Sequence, residues 1–223
     1  MSELHQLEQQ LQELSHSTEA LTLIRAFAER LKNTRSRQQI FNMPGALLSI
    51  SPIDHADALA RGLIPAEEDA FVVLQGDVIA TEAAYHMGQR LVGMRFLVAN
   101  STCDLVPGRR DFTALLPLLP IYPGETPSAQ QETKGLLAEL LRFTSTRRMY
   151  LPPLPGDLEN GIVGNTVEFD RIAQARQEDV LFAERIASLS LVGWRIFGSH
   201  LRGVLTRAGE SEVALRRAFT ESS

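Results

Sequence analysis

The stretch from Gly76 to Pro120 constrains the fold of this chain more than any other. Three runs of β-forming residues follow one another there: Gly76-Asp77-Val78-Ile79, Met94-Arg95-Phe96-Leu97-Val98-Ala99-Asn100, and Asp111-Phe112-Thr113-Ala114-Leu115-Leu116-Pro117-Leu118-Leu119-Pro120. Gly88, Gly93 and Pro107-Gly108 punctuate the gaps, and Ser101-Thr102-Cys103-Asp104 turns the chain after the second run. Short β runs separated by turn formers predict a compact antiparallel sheet, the centre of a small barrel.

The flanks read as helix and connector. Leu4, Leu7, Leu11 and Leu14 form a narrow apolar stripe on an otherwise polar helix. A second helix carries Leu21, Ile24, Phe27, Ala28 and Leu31, with Ser17 or Thr18 as its N-cap. Two heptads are too few for a stable coiled coil, so residues 1–37 read as a helical arm packed on its own barrel. The alternative use of the arm is a dimer or partner contact. Asn33 to Arg37 reads as a polar break. Asp54-His55-Ala56-Asp57 has the makings of a metal site, but ligation needs three or four convergent groups. Asp54 as an N-cap and Gly62 as the stop after the helix account for it better. Phe71 to Leu74 reads as a strand leading into Gly76.

Beyond the central stretch, a helix is expected near Ala129 to Arg142 and a strand at Arg147 to Leu151. Pro152-Pro153-Leu154-Pro155-Gly156 reads as a rigid connector or, alternatively, a proline-recognition ligand. Thr166 to Ile172 alternates apolar with charged residues, the mark of a strand with one wet face. A long last helix should start at Ser190 and bury Leu191, Trp194, Phe197 or Gly198, Leu201 and Val204 or Leu205, with Trp194 as its main anchor on the sheet. The domain is thus 38–208, with a helical insertion at about 128–143, and the tail 209–223 adds a short helix capped at Ser211.

With 223 residues, 44% of them hydrophobic, the chain can bury a real core. A formal charge of -5 gives no global basic footprint for nucleic acid. Residues 1–140 carry 17 acidic against 11 basic side chains, and residues 141–223 carry 10 against 11, so any nucleic-acid face must be local. The single cysteine, Cys103, excludes an internal disulfide and a Cys-rich zinc site and fits a reducing cytosol. No apolar run nears the roughly 18 residues of a membrane span, and the N-terminus lacks the regions of a signal peptide. A cytoplasmic protein without membrane contact is expected.

The sequence has no Gly-rich phosphate loop, dinucleotide fingerprint, zinc-protease motif or nucleophile elbow. Neither a cofactor nor a metal is expected. Cys103 is a candidate reactive thiol if His86 or His200 reaches it, and otherwise a turn residue beside the capping Asp104. Arg95 opens an apolar strand, with Arg90 in the preceding loop and Arg109 and Arg110 in the next. Gathered at one end of a barrel, such guanidinium groups would hold a phosphodiester and stabilise a pentacoordinate transition state. RNA cleavage then needs only a base for the 2′-hydroxyl and an acid for the leaving oxygen, roles open to His86 and Asp104. The alternative is a solvated Arg95 paired with Asp104 or Asp111.

Gly76-Asp77-Val78-Ile79, a long loop, Arg95-Phe96-Leu97-Val98-Ala99-Asn100, Leu115-Leu116-Pro117-Leu118, then Glu168-Phe169-Asp170-Arg171-Ile172-Ala173 and a closing helix resemble the PemK/MazF family over about residues 71–207. The resemblance implies an α+β fold with a small antiparallel SH3-like barrel and the cytoplasmic toxin of a bacterial toxin–antitoxin system. Many members are endoribonucleases that meet a cognate antitoxin. Arg95 matches the family's catalytic arginine. Two departures stand out: Phe96 occupies a usual proline position, and the family's catalytic threonine is absent near Leu119. Thr113 lies about six residues earlier, roughly 20 Å away along an extended strand. The expectation is RNA binding through Arg90, Arg109 and Arg110, with cleavage by Arg95, His86 and Asp104 if that hydroxyl is dispensable. The alternative is a non-catalytic barrel that binds an antitoxin-like or regulatory protein in a defence or regulatory system, or a homodimer.

Overall fold

A computed structural model describes residues 3–67 and 69–206. The fold is α+β, with ten antiparallel strands and seven α-helices among the described residues. The three runs of the central stretch are neighbouring strands: β2 (Asp77–Ala80), β5 (Arg95–Val98) and β6 (Phe112–Ile121). Leu97 sits opposite Val78 on one side and Leu116 on the other. β10 (Glu184–Leu189) flanks β2, and the two-residue β1 (Leu48–Ser49) flanks β10.

The ten-residue β6 carries two different leaves along its far edge. Its first half pairs with β9 (Ala173–Arg176), which leads on to the hairpin of β3 (Ala84–His86) and β4 (Gln89–Leu91). Its second half pairs with β8 (Gly164–Glu168), backed by β7 (Arg148–Leu151). The hydrogen-bonded path from β1 to β4 stays open, so the pairing does not close into a barrel.

Alternation along the central strands explains why they read as continuous apolar runs. Val78, Leu97, Leu116 and Leu118 enter the large core beneath the helices, whereas Ile79, Phe96, Val98 and Leu115 enter a smaller core on the opposite face. A strand buried on both faces shows no polar alternation. The half-wet strand expected at Thr166 to Ile172 is displaced. Gly164 to Val167 are buried, the chain turns at Phe169-Asp170, and the alternation falls on β9, where Ala173 and Ala175 are buried while Gln174 and Arg176 are exposed. An Arg171–Glu168 ion pair at 2.8 Å spans that turn.

The N-terminal helices are α1 (Glu3–Gln12), α2 (Thr18–Arg30) and α3 (Thr34–Phe41). Leu7, Leu11, Ile24 and Phe27 share the large core with Val192, Ile196 and Phe197 of the last helix, α7 (Leu191–Thr206). The arm therefore packs on its own domain. Asn33 to Arg37 is not a break: Asn33 caps α3, its side chain accepting from the Ser36 amide at 2.9 Å. Arg37 is buried and donates Nε to the Ala28 carbonyl at 2.7 Å, meeting one of the carbonyls that the end of α2 leaves open.

Ser17 caps α2 and Asp54 caps α4 (His55–Ala60), with Gly62 following at φ +66°. The insertion forms α5 (Pro127–Leu140), capped by Thr126. Ser190 Oγ accepts from the Gly193 amide and so caps α7. Trp194 is not that helix's main anchor: it is half-buried at the rim, edge-on to His16, its Nε1 donating to Gln75. Val192, Ile196 and Phe197 are the fully buried anchors. Phe71 to Leu74 is not a strand, because the Leu74 amide is taken by the Asp77 carboxylate at 2.8 Å rather than by a ladder partner. The helix expected after Gly209 lies outside the described residues.

Candidate functional site

Arg95 opens β5, and its guanidinium reaches the turn that follows the three prolines. Pro155-Gly156 occupies the centre of this turn, Gly156 at φ +81°, and the Asp157 amide donates to the Leu154 carbonyl at 3.0 Å. That geometry is a Pro-Gly type II turn, which requires a positive φ at its second central residue. The turn aims the Asp157 carboxylate inward, where Oδ1 pairs with Arg95 Nη2 at 2.7 Å. Oδ2 accepts from the Leu154 amide at 2.8 Å and from Asn165 Nδ2 at 2.7 Å. The Asp157 side chain is 3% exposed and that of Arg95 is 23% exposed.

This network ties β5, β8 and the proline connector together, and Pro152 and Leu154 are buried, not displayed for a ligand. Arg95 does not stand free at the rim, and its partner is neither Asp104 nor Asp111. Detaching its guanidinium to hold a phosphate would leave Asp157 as a buried, unpaired carboxylate, an outcome that costs several kcal/mol (about 3 to 5). Among the described residues neither His86 nor Asp104 bonds to Arg95, so the three candidate catalytic groups do not meet in one constellation.

The remaining predicted residues are likewise engaged close to home. His86 lies in β3, with Nδ1 2.9 Å from the Ile172 carbonyl. Asp104 lies in the 3-10 turn Thr102–Leu105 and pairs with Arg110 at 2.9 Å. Arg109 pairs with Asp69 at 2.6 Å and also donates to the Cys103 carbonyl. Arg90 donates Nε to the Glu82 carbonyl at 2.5 Å. Cys103 is exposed in the same turn as Asp104. Thr113 is buried in β6 opposite Ala175 and offers no accessible hydroxyl.

One surface does bring several side chains together. Tyr85 pairs across the hairpin with Arg90 and across the leaf with Gln174, which in turn faces Ala114. Phe112 sits opposite Arg176 two residues along, on the same side of the pleat. Tyr85 and Phe112 are about half exposed, and Met87 at the hairpin tip is 90% exposed. The tip adopts positive φ at both Met87 and Gly88, as a two-residue hairpin turn of the right twist requires. Acidic groups border this face at Glu82 and Asp179.

Sequence reading missed Asp157 and Asn165; the Pro-Gly pair just before an Asp was the available signal. It also missed the second buried ion pair. Asp77 is fully buried and accepts from Arg185 Nε at 2.8 Å and from Ser188 Oγ at 2.5 Å. Burial pushes its carboxyl up, and the Leu74 amide, Ser188 and Arg185 pull it back. Among the described residues no group of three or more His, Cys, Asp or Glu side chains could hold a metal ion, and no helix is long and apolar enough to cross a membrane. No family model matches the chain, and no curated protein matches it.

Proposed function

We propose that the chain is a non-catalytic relative of the PemK/MazF-type SH3-like barrels, and that it works by holding a protein partner on the face of β3, β4, β9 and β6. The observation that carries this reading is the use of Arg95 as a structural cation. With its guanidinium matched to Asp157 and no hydroxyl at Leu119, phosphoryl transfer lacks both its electrostatic clamp and its partner group. Meanwhile Tyr85, Met87 and Phe112 present an apolar surface beside arginines already held by local acceptors. Large aromatics with a polar rim are the usual anchors of a protein interface. The partner class is an antitoxin-like or regulatory protein, as the resemblance implies.

Co-purification from the native host tests this with a Tyr85→Ser, Met87→Ser double variant. Both positions are solvent-facing, so the variant should fold as the wild type does. A stoichiometric partner retained by the wild type and lost by the variant is the expected outcome. A wild-type protein that purifies alone contradicts the reading.

A second reading, RNA binding, is favoured by one observation. Tyr85 and Phe112 share their face with Arg90 and Arg176, the combination on which single-stranded bases stack. Fluorescence anisotropy with a labelled single-stranded RNA separates the two. Binding that weakens on Phe112→Ala supports RNA, and no binding at low salt removes it.

A further inference from the structure

Among the described residues, three strands have a neighbour on one side only: β1, β4 and β7. An open strand edge carries unpaired N–H and C=O groups and is a template for pairing with another chain, so folded proteins shorten, cover or block it. β1 is two residues long, and the Leu48 carbonyl already accepts the Gly45 amide at 2.8 Å. β7 is covered: Met149, Tyr150 and Leu151 are buried, α5 packs against the strand, and Pro152 and Pro153 end it. β4 has no such cover. Gln89 and Arg90 are exposed, residues 84–95 contain no proline and no lysine, and Val92 just beyond the strand is 65% exposed.

The hairpin fixes which groups of β4 face outward. Beside the two-residue turn Met87-Gly88, His86 and Gln89 are the pair that exchanges hydrogen bonds, so the next pair, Tyr85 and Arg90, does not. The Arg90 amide and carbonyl therefore point away from β3. Its side chain lies on the Tyr85 side, whereas Leu91 turns to the other side and packs against the smaller core. Arg90 Nε donates to a neutral acceptor, the Glu82 carbonyl, and the guanidinium has no ion pair among the described residues. The Glu82 carboxylate takes the Gly93 amide instead, and Asp179 borders the same cleft without pairing with Arg90.

We propose that a partner protein adds a short extended strand to the β4 edge, with a carboxylate beside Arg90 and apolar side chains beside Leu91 and Val92. This strand deepens, and rests on, the partner-holding role proposed for the face. Main-chain bonds to Arg90 supply affinity, and the alternating side chains supply selectivity. Opposite charges directly across a strand pair stabilise it and like charges oppose it. A second copy of β4 is disfavoured for that reason, since the antiparallel register that pairs all three of its residues sets Arg90 against its own copy.

Titration of the isotope-labelled full chain with the peptide acetyl-Thr-Val-Val-Glu-Val-Thr-amide, followed by amide exchange, tests the assignment. The peptide should bind and slow exchange at the Arg90 amide. Arg90→Pro removes the outward N–H without touching a bond of the hairpin, so it should keep the thermal midpoint and weaken the peptide by about tenfold or more. Arg90→Gln keeps the N–H and loses only the charge, a loss of about two- to fivefold. Arg90→Glu covers the case in which the proline variant fails to fold: it should prefer the same peptide with Lys in place of Glu. No binding, binding that leaves the Arg90 amide unprotected, or an unchanged preference in Arg90→Glu would overturn the proposal, as would a dimer of the chain that Arg90→Pro dissociates. In co-purification, a partner kept by Arg90→Pro but lost by the Tyr85→Ser, Met87→Ser variant would overturn the added strand and leave the partner reading intact. A wild type that purifies alone removes both.

Discussion

Asp157 decides what Arg95 can do, because a carboxylate that is 3% exposed needs its cation more than a guanidinium side chain that is 23% exposed needs its anion. Asp157→Ala should cost about 3 kcal/mol in urea denaturation, leaving Arg95, Asn165 and the Leu154 amide short of a partner. Arg95→Ala should cost a similar amount, and the double variant much less than the sum. Additive losses would mean the pair is not coupled. His200 makes a second prediction at this scale. Its folded value of about 4 lies below the ordinary 6.5, so as pH falls from about 6.5 to about 4 the unfolded chain takes a proton that the folded chain refuses. Stability contributed by neutral His200 is complete above that window and lost as pH falls through it, by roughly 2–3 kcal/mol at about pH 4.5. His200→Gln should be less pH-sensitive over that range by about this amount, measured by denaturant titration at pH 7 and pH 4.5.

Among the elements, α7 and α5 show opposite uses of glycine. A Cβ on Gly193 would lie 2.2 Å from the Leu47 carbonyl, so the helix approaches the chain before β1 only because nothing stands there. Gly135 in α5 has open space around it. Gly193→Ala should therefore destabilise by about 1–3 kcal/mol, and Gly135→Ala should stabilise by roughly 0.5–1 kcal/mol, since an exposed helix prefers alanine. Thermal melts of both check the contrast in sign. Elements with local causes were legible in the sequence: the capped helices at Ser17, Asp54 and Ser190, and the three apolar strands. The hairpin of β3 and β4 was not, because Met87-Gly88 lacks the Asn-Gly or Asp-Gly signature although it adopts the same positive φ pair. Nor was β9, whose four residues, Ala173–Arg176, are too short and too alanine-rich to announce a strand.

At the scale of the whole molecule, two cores on opposite faces of β2, β5 and the middle of β6 leave those segments no wet side, whereas Phe112 at the start of β6 reaches the exposed face shared with β9 and the hairpin. Periodicity could not reveal this, since it does not say that Asp157, some sixty residues after Arg95, folds back to meet it. The candidate site was legible as a set of arginines but not as a set of ion pairs, because a charge partner distant in sequence leaves no local pattern. Digestion of a long single-stranded RNA by the purified chain and by Arg95→Ala, with the thermal midpoint of each recorded, tests the structural role of Arg95 most directly. The account predicts intact RNA from both proteins and a lower midpoint for the variant. Cleavage by the wild type that vanishes in an Arg95→Ala protein of unchanged midpoint would contradict it.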